Sequence, residues 1–149
     1  MSFITGLFDM DFSWLVPEIN GLMGTVKTLL ILAMLVGPVL MVVFGLLYMF
    51  KAPKEANYRF GFRTYFGMGS TEAWQYTQRI AGLVFTALGG ALLIAMIVVM
   101  CFFGRHDLLK NVTTAAICVS VQAGALLIAR IVLSIVVSVY FDGFGDRRR

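Results

Sequence analysis

Three unbroken apolar stretches dominate the chain, at about 28–50, 80–103 and 112–141. The first two contain no charged residue, and the third contains one, Arg130. A hydrocarbon core of about 30 Å is crossed by about 20 helical residues, so each stretch is long enough to span. All three are rich in Leu, Ile, Val, Met and Ala, and none alternates at period two. The pattern therefore predicts helices and not barrel strands. The expected fold class is an all-α polytopic membrane protein with three transmembrane helices.

The first 26 residues read differently. Phe3, Ile4, Leu7, Phe8, Phe12 and Trp14 are interrupted by Asp9 and Asp11. A secretory signal has a basic start and an unbroken apolar core, and this segment has neither. It is read as a short amphipathic helix lying in the interface, with Trp14 at headgroup depth and Pro17 ending or redirecting it. The expected organisation is an interfacial segment over 1–26 and a three-span domain over 27–149, with a connector at 51–79.

Composition agrees with this reading. Of 149 residues, 60% are hydrophobic and 13% charged, and the mean hydropathy is +0.89. Soluble domains carry about 25% charged residues, and disordered chains lack apolar mass, so both classes are excluded. One His and two Cys cannot supply the four ligands of a structural zinc site. No metal, cofactor or catalytic residue is expected. His106 sits in a short linker with no nucleophile nearby in sequence, and paired carboxylates for acid–base chemistry are lacking. The chain is read as a non-enzyme.

Charge placement orients the chain. Lys51, Lys54, Arg59, Arg63 and Arg79 lie in the connector, and Arg147, Arg148 and Arg149 in the C-terminal tail. The opposite side collects only Lys27, Arg105 and Lys110. Cytoplasmic loops carry the excess of Lys and Arg, so the connector and the C-terminus are expected inside and the N-terminus outside. The net charge of +4 is explained by these flanks, and no direct nucleic-acid binding is expected.

Within the membrane, small residues at spacing four form ridges: Gly82, Thr86, Gly90 and Ala87, Ala91, Ala95 on the second span, then Ala116, Ser120, Gly124 with Ala125 and Ala129 on the third. Small residues let helices approach in lipid, and the short linker predicts that these two spans form the tight pair. Gly37-Pro38 places a helix-perturbing proline near mid-membrane in the first span. Gln122, Ser134 and Ser138 stand at multiples of four from Arg130, which predicts one broad polar side. None of the spans contains an acidic residue. The counter-charge of Arg130 is then a connector carboxylate such as Glu55 or Glu72, another subunit, a lipid phosphate or a ligand, unless the side chain snorkels to the headgroups.

The connector carries the most specific pattern. Gly61, Gly67 and Gly69 break regular structure, Ser70 is a good N-cap with Glu72 in the first turn behind it, and a helix can run from Thr71 straight into the second span. Arg59 and Arg63 flank the glycine turn, close to a helix start that can hold an anion, the acidic start of its own helix or anionic lipid. The run Asn57, Gly61-Phe62-Arg63-Thr64, Met68, Ser70, Trp74 and Gly82 resembles the signature of SdpI-type membrane proteins. The family is named for an immunity protein that protects a toxin-producing cell from its own antimicrobial peptide. The likeness is close over about 26 residues and fits the short three-span form. The acidic, aromatic N-terminal segment and Arg130 are not parts of that signature.

The resemblance implies a membrane-embedded binding protein that gives immunity to, or senses, a membrane-active peptide, in a bacterial plasma membrane. The site expected on these grounds is a ligand or partner surface made by the signature residues Asn57, Gly61, Arg63, Thr64, Ser70 and Trp74, with Arg130, from outside the signature, reaching toward it. Partners in that reading are membrane lipid, a secreted peptide toxin, a cytoplasmic regulator or another membrane subunit, and further copies of the chain. Two other classes fit the residues: a small oligomeric transporter or lipid- or anion-binding channel lined by Gln122, Arg130, Ser134 and Ser138, and an accessory subunit of a larger membrane complex.

Overall fold

The computed structural model describes residues 15–57, 59–103 and 108–148. They form three long helices: α1 (Leu15–Phe50), α2 (Thr71–Phe102) and α3 (Leu108–Tyr140), with a 3-10 turn at Phe66–Met68 between the first two. Each is long and apolar enough to cross a bilayer. Only 22%, 17% and 17% of the three most apolar windows are buried inside the bundle, so most of their apolar surface is left to face lipid. The protein is an all-helical, multi-pass membrane protein.

Most of the N-terminal segment lies outside the described residues. Residues 1–14, and with them the proposed interfacial stretch and Trp14, lie outside the described residues, as does His106. From Leu15 the chain is one helix with the first span. Pro17 lies within the described part of this helix, and the stretch it was expected to end or redirect lies outside the described residues.

Successive helices run antiparallel. At one end Met34 of α1 meets Met96 of α2 and Cys118 of α3, together with Phe103 and Ala115. At middle depth Met41, Ala81, Phe85 and Leu133 pack with Phe62 of the connector. At the other end Ala73, Val137 and Phe141 close the bundle. The connector and the C-terminal tail consequently lie at the same end.

The tight pair is α1–α2, not the expected α2–α3, and most of the interhelical contact is made there. A Cβ placed on Gly45 of α1 would stand 2.6 Å from the Thr86 backbone nitrogen and 2.9 Å from the Gly82 carbonyl oxygen. One placed on Gly89 would stand 2.8 Å from the Met41 Cβ. Gly82 and Thr86 thus do form a close-packing ridge, but against α1, because Gly45 opposes them. Gly90 and Gly124 have open space where a Cβ would go. Ala87, Ala125 and Ala129 line an open apolar groove between α2 and α3 instead of a closed seam.

Candidate functional site

The connector is irregular, and its polar side chains hold it in shape. Asn57 Oδ1 accepts from the backbone N–H groups of Arg59 and Phe60, both at 3.0 Å. An Asn that bonds its own downstream backbone reverses the chain without regular structure. The chain then passes Gly61 at φ +127°, a conformation that L side chains rarely adopt. A Cβ here would also stand 2.6 Å from the Trp74 ring, so the backbone lies directly on the indole.

Phe62 is fixed by a side-chain clamp. Gln78 of α2 accepts from the Phe62 N–H through Oε1 (2.9 Å) and donates to the Phe62 carbonyl through Nε2 (2.7 Å). The primary amide pairs with one peptide unit's donor and acceptor at once, satisfying both in a buried place. The Phe62 ring packs edge-on against Phe85, with centroids 5.5 Å apart, and also against Tyr48. Thr64 Oγ1 then accepts from the Gly67 N–H at 3.0 Å and starts the 3-10 turn.

Ser70 and Trp74 tie this fold to its surroundings. Ser70 Oγ accepts from the Ala73 N–H as the N-cap of α2, and the hydroxyl donates to the Gly145 carbonyl at 2.7 Å. Trp74 is fully buried and donates through Nε1 to the Pro53 carbonyl at 2.8 Å. Gln75 reaches the Lys54 carbonyl at 3.3 Å.

The C-terminal tail makes the matching half of the joint. Asp142 Oδ1 accepts from the Phe144 and Asp146 N–H groups, and Arg148 N–H returns to the Tyr140 carbonyl. Gly145, at φ +83°, sits against Gly69 and Ser70 so closely that a Cβ on either glycine would meet backbone. Glu72, expected as a partner for Arg63 or Arg130, faces Arg147 at 3.8 Å, both side chains largely exposed.

Five of the six signature residues expected to form a ligand surface, Asn57, Gly61, Thr64, Ser70 and Trp74, are occupied in this internal scaffold. Arg63 is exposed on its outside. Lys54 and Arg79, with Gln75 and Gln78, border a niche of about 420 Å³ at the edge of the connector. Gln78, Pro53 and Gly145 are the scaffold residues that sequence reasoning left out of the site. For Gln78 the signal was its position one turn after Trp74. Gly145 had none, since nothing in the sequence pairs the tail with Ser70.

The intramembrane residues separate. Gln122 is buried and donates through Nε2 to the Met34 carbonyl of α1 at 2.9 Å. Ser134 bonds the Arg130 carbonyl and Ser138 the Ile135 carbonyl, both within α3. The expected polar side is thus three separate arrangements, since hydroxyls in a dry helix satisfy themselves on the preceding turn. Among the described residues, the hydrogen bonds of Asn57, Ser70 and Trp74 go to backbone groups and not to Arg130. Arg130 lines a groove of about 350 Å³ between α1 and α3, with Met41, Tyr48, Phe62 and Phe85. Among the described residues no group of three or more His, Cys, Asp or Glu side chains is placed to hold a metal.

The connector, α2 and α3 make one continuous unit, and over this unit the chain can be compared with known proteins. A model of the SdpI/YfhL protein family matches residues 54–141, more than half of the chain. The chain belongs to the SdpI/YfhL family. The family match starts inside the connector, takes in every residue of the scaffold from Asn57 to Gln78, and ends at Phe141, where α3 gives way to the tail. The SdpI/YfhL match takes in α2 and α3, while α1, which supplies Tyr48 and Pro38, and the scaffold residues Pro53 and Gly145 lie outside it. Neither the comparison with curated proteins nor that with solved structures found a match.

Proposed function

We propose that this SdpI/YfhL protein is a non-enzymatic binding protein of a bacterial plasma membrane that gives immunity to, or senses, a membrane-active antimicrobial peptide. The observation that carries this reading is the Ser70 joint. One hydroxyl caps α2 and holds the C-terminal tail, so connector, α2 and α3 meet at a single point. A ligand that shifts the helices within the bilayer would strain that joint and alter the exposed cationic face around Arg63, Lys54 and Arg79. With the connector in the cytoplasm, as the charge count favours, this change is presented to a cytoplasmic regulator. The scaffold residues give the surface its shape, and Arg63 is the contact residue.

The test is survival. The full chain, expressed in a sensitive bacterium, is challenged with a panel of membrane-active peptides. Protection against one or more peptides is expected, lost in Arg63→Ala with membrane insertion unchanged. Unaltered survival across the panel overturns the immunity reading. Full protection by Arg63→Ala removes that residue from the contact surface.

A further inference from the structure

Arg130 is a fixed charge in an apolar place. Ten residues separate it from Tyr140, about 15 Å of helix. α3, with 33 residues, is about 50 Å long and overshoots a hydrocarbon core of about 30 Å by about 10 Å at each end if centred, which leaves the Arg130 Cα about 5 Å inside the hydrocarbon. Segments 22–50, 73–102 and 108–140 contain no Asp or Glu. Among the described residues no carboxylate or hydrogen-bond acceptor meets the guanidinium. A cation at such depth is matched by something, and the described residues do not supply it.

The groove beside it has the shape of a lipid chain. On α1 it is lined by Gly37, Leu40, Met41, Phe44 and Tyr48, one face of the helix from Gly37 to Tyr48, about 16 Å. That length is about one leaflet of the hydrocarbon core. Leu126 and Arg130 form the opposite wall, and Phe62 and Phe85 the back. Nearly all of this lining is apolar, and the residues on it with polar groups are Arg130 and Tyr48. Phe62 brings the connector to the groove, so the cation that follows it in sequence, Arg63, belongs to the same end of the molecule. Apolar walls one leaflet long, with a cation near the hydrocarbon boundary and no counter-charge among the described residues, complement an anionic amphiphile.

We propose that the α1–α3 groove binds an anionic phospholipid, with one acyl chain against Gly37, Leu40 and Leu126 and the headgroup phosphate on Arg130. The site is independent of any peptide ligand. Arg130 supplies a charge-assisted hydrogen bond that a neutral side chain cannot, and the groove distinguishes a bound lipid from a guanidinium that merely rises to the surrounding headgroups.

The test uses the full chain purified in a neutral detergent and titrated with phosphatidylglycerol or phosphatidylcholine of identical chains. Retained lipid is read by native mass spectrometry and stability by thermal shift. Wild type is expected to retain phosphatidylglycerol about ten-fold better than phosphatidylcholine, the scale of one charge-assisted contact. Arg130→Gln loses the preference and Arg130→Lys keeps part of it. Leu126→Trp, which fills the groove and leaves the charge, loses retention of both lipids. Inorganic phosphate alone gives no thermal shift. Equal retention of the two lipids by wild type overturns the proposal, as does a preference that survives Arg130→Gln. A preference that survives Leu126→Trp overturns it in favour of snorkelling. A thermal shift with inorganic phosphate would make the site one for a free anion. A dimer that Leu126→Trp dissociates would make a second copy the occupant. Should Arg130→Gln fail to fold, Arg130→Lys and Leu126→Trp still decide between these outcomes.

Discussion

Gln122 on α3 donates its side-chain amide to the carbonyl of Met34 on α1, 2.9 Å away. In a regular helix that carbonyl accepts from the N–H four residues on, and here that residue is Pro38, which has none. The third helix therefore supplies the hydrogen bond that a proline removes from the first. Gly37 makes room for it, since a Cβ at that position would collide with the Gln122 amide oxygen.

This pairing predicts a coupled pair of substitutions. Gln122→Leu leaves the Met34 carbonyl unpaired in a dry place and is expected to cost about 1–3 kcal/mol. Pro38→Ala restores the helical donor. In the Pro38→Ala background the cost of Gln122→Leu is expected to fall to about 1 kcal/mol or less, by the logic of a double-mutant cycle. Thermal or denaturant unfolding of the four proteins in one detergent gives the coupling, and strictly additive costs would contradict the pairing.

The α1–α2 contact predicts opposite outcomes for two glycines. Gly45→Ala pushes a methyl into the Thr86 and Gly82 backbone, an overpacking expected to destabilise by about 1–3 kcal/mol. Gly90→Ala meets open space and is expected to be neutral or to stabilise by up to about 1 kcal/mol through helix propensity. Melting temperatures of the two variants check both signs.

The Gln78 clamp predicts that charge, not size, is what the connector will not tolerate. Gln78→Glu keeps the shape but replaces the donor to the Phe62 carbonyl with an acceptor, at an expected cost of about 1–3 kcal/mol. Limited proteolysis should then cut the connector between residues 55 and 65 faster than in wild type, with insertion of α1 and α2 unchanged.

At the joint with the tail, Ser70→Ala removes the α2 cap and the bond to Gly145 together. The cap alone is worth about 1 kcal/mol, and the tail should become accessible to carboxypeptidase. Glu72→Gln removes only an exposed pair at 3.8 Å, expected to contribute less than about 1 kcal/mol. Comparing tail digestion in the two variants separates the hydrogen bond from the charge pair.

The sequence by itself determined the number of spans, their helical nature, the N-cap at Ser70 and the family of the connector. These follow from local quantities: apolar length against bilayer thickness, and side chains that bond to backbone a few residues away. Asn57 and Thr64 were legible only as members of the signature, and their turn-forming bonds came from the structure. The tertiary structure alone decided which helices pack tightly, because Gly45 and Gly82 are close only once α1 and α2 are antiparallel and in register. It alone assigned Gln122 to Pro38, 84 positions away in the numbering, and Ser70 to Gly145, 75 positions away. It also separated the polar residues of α3, taking Gln122 to α1 and Arg130 to the groove while both serines bond within their own helix. A hydrogen bond between distant segments leaves no periodic trace in the chain, since neither partner's own neighbourhood specifies it.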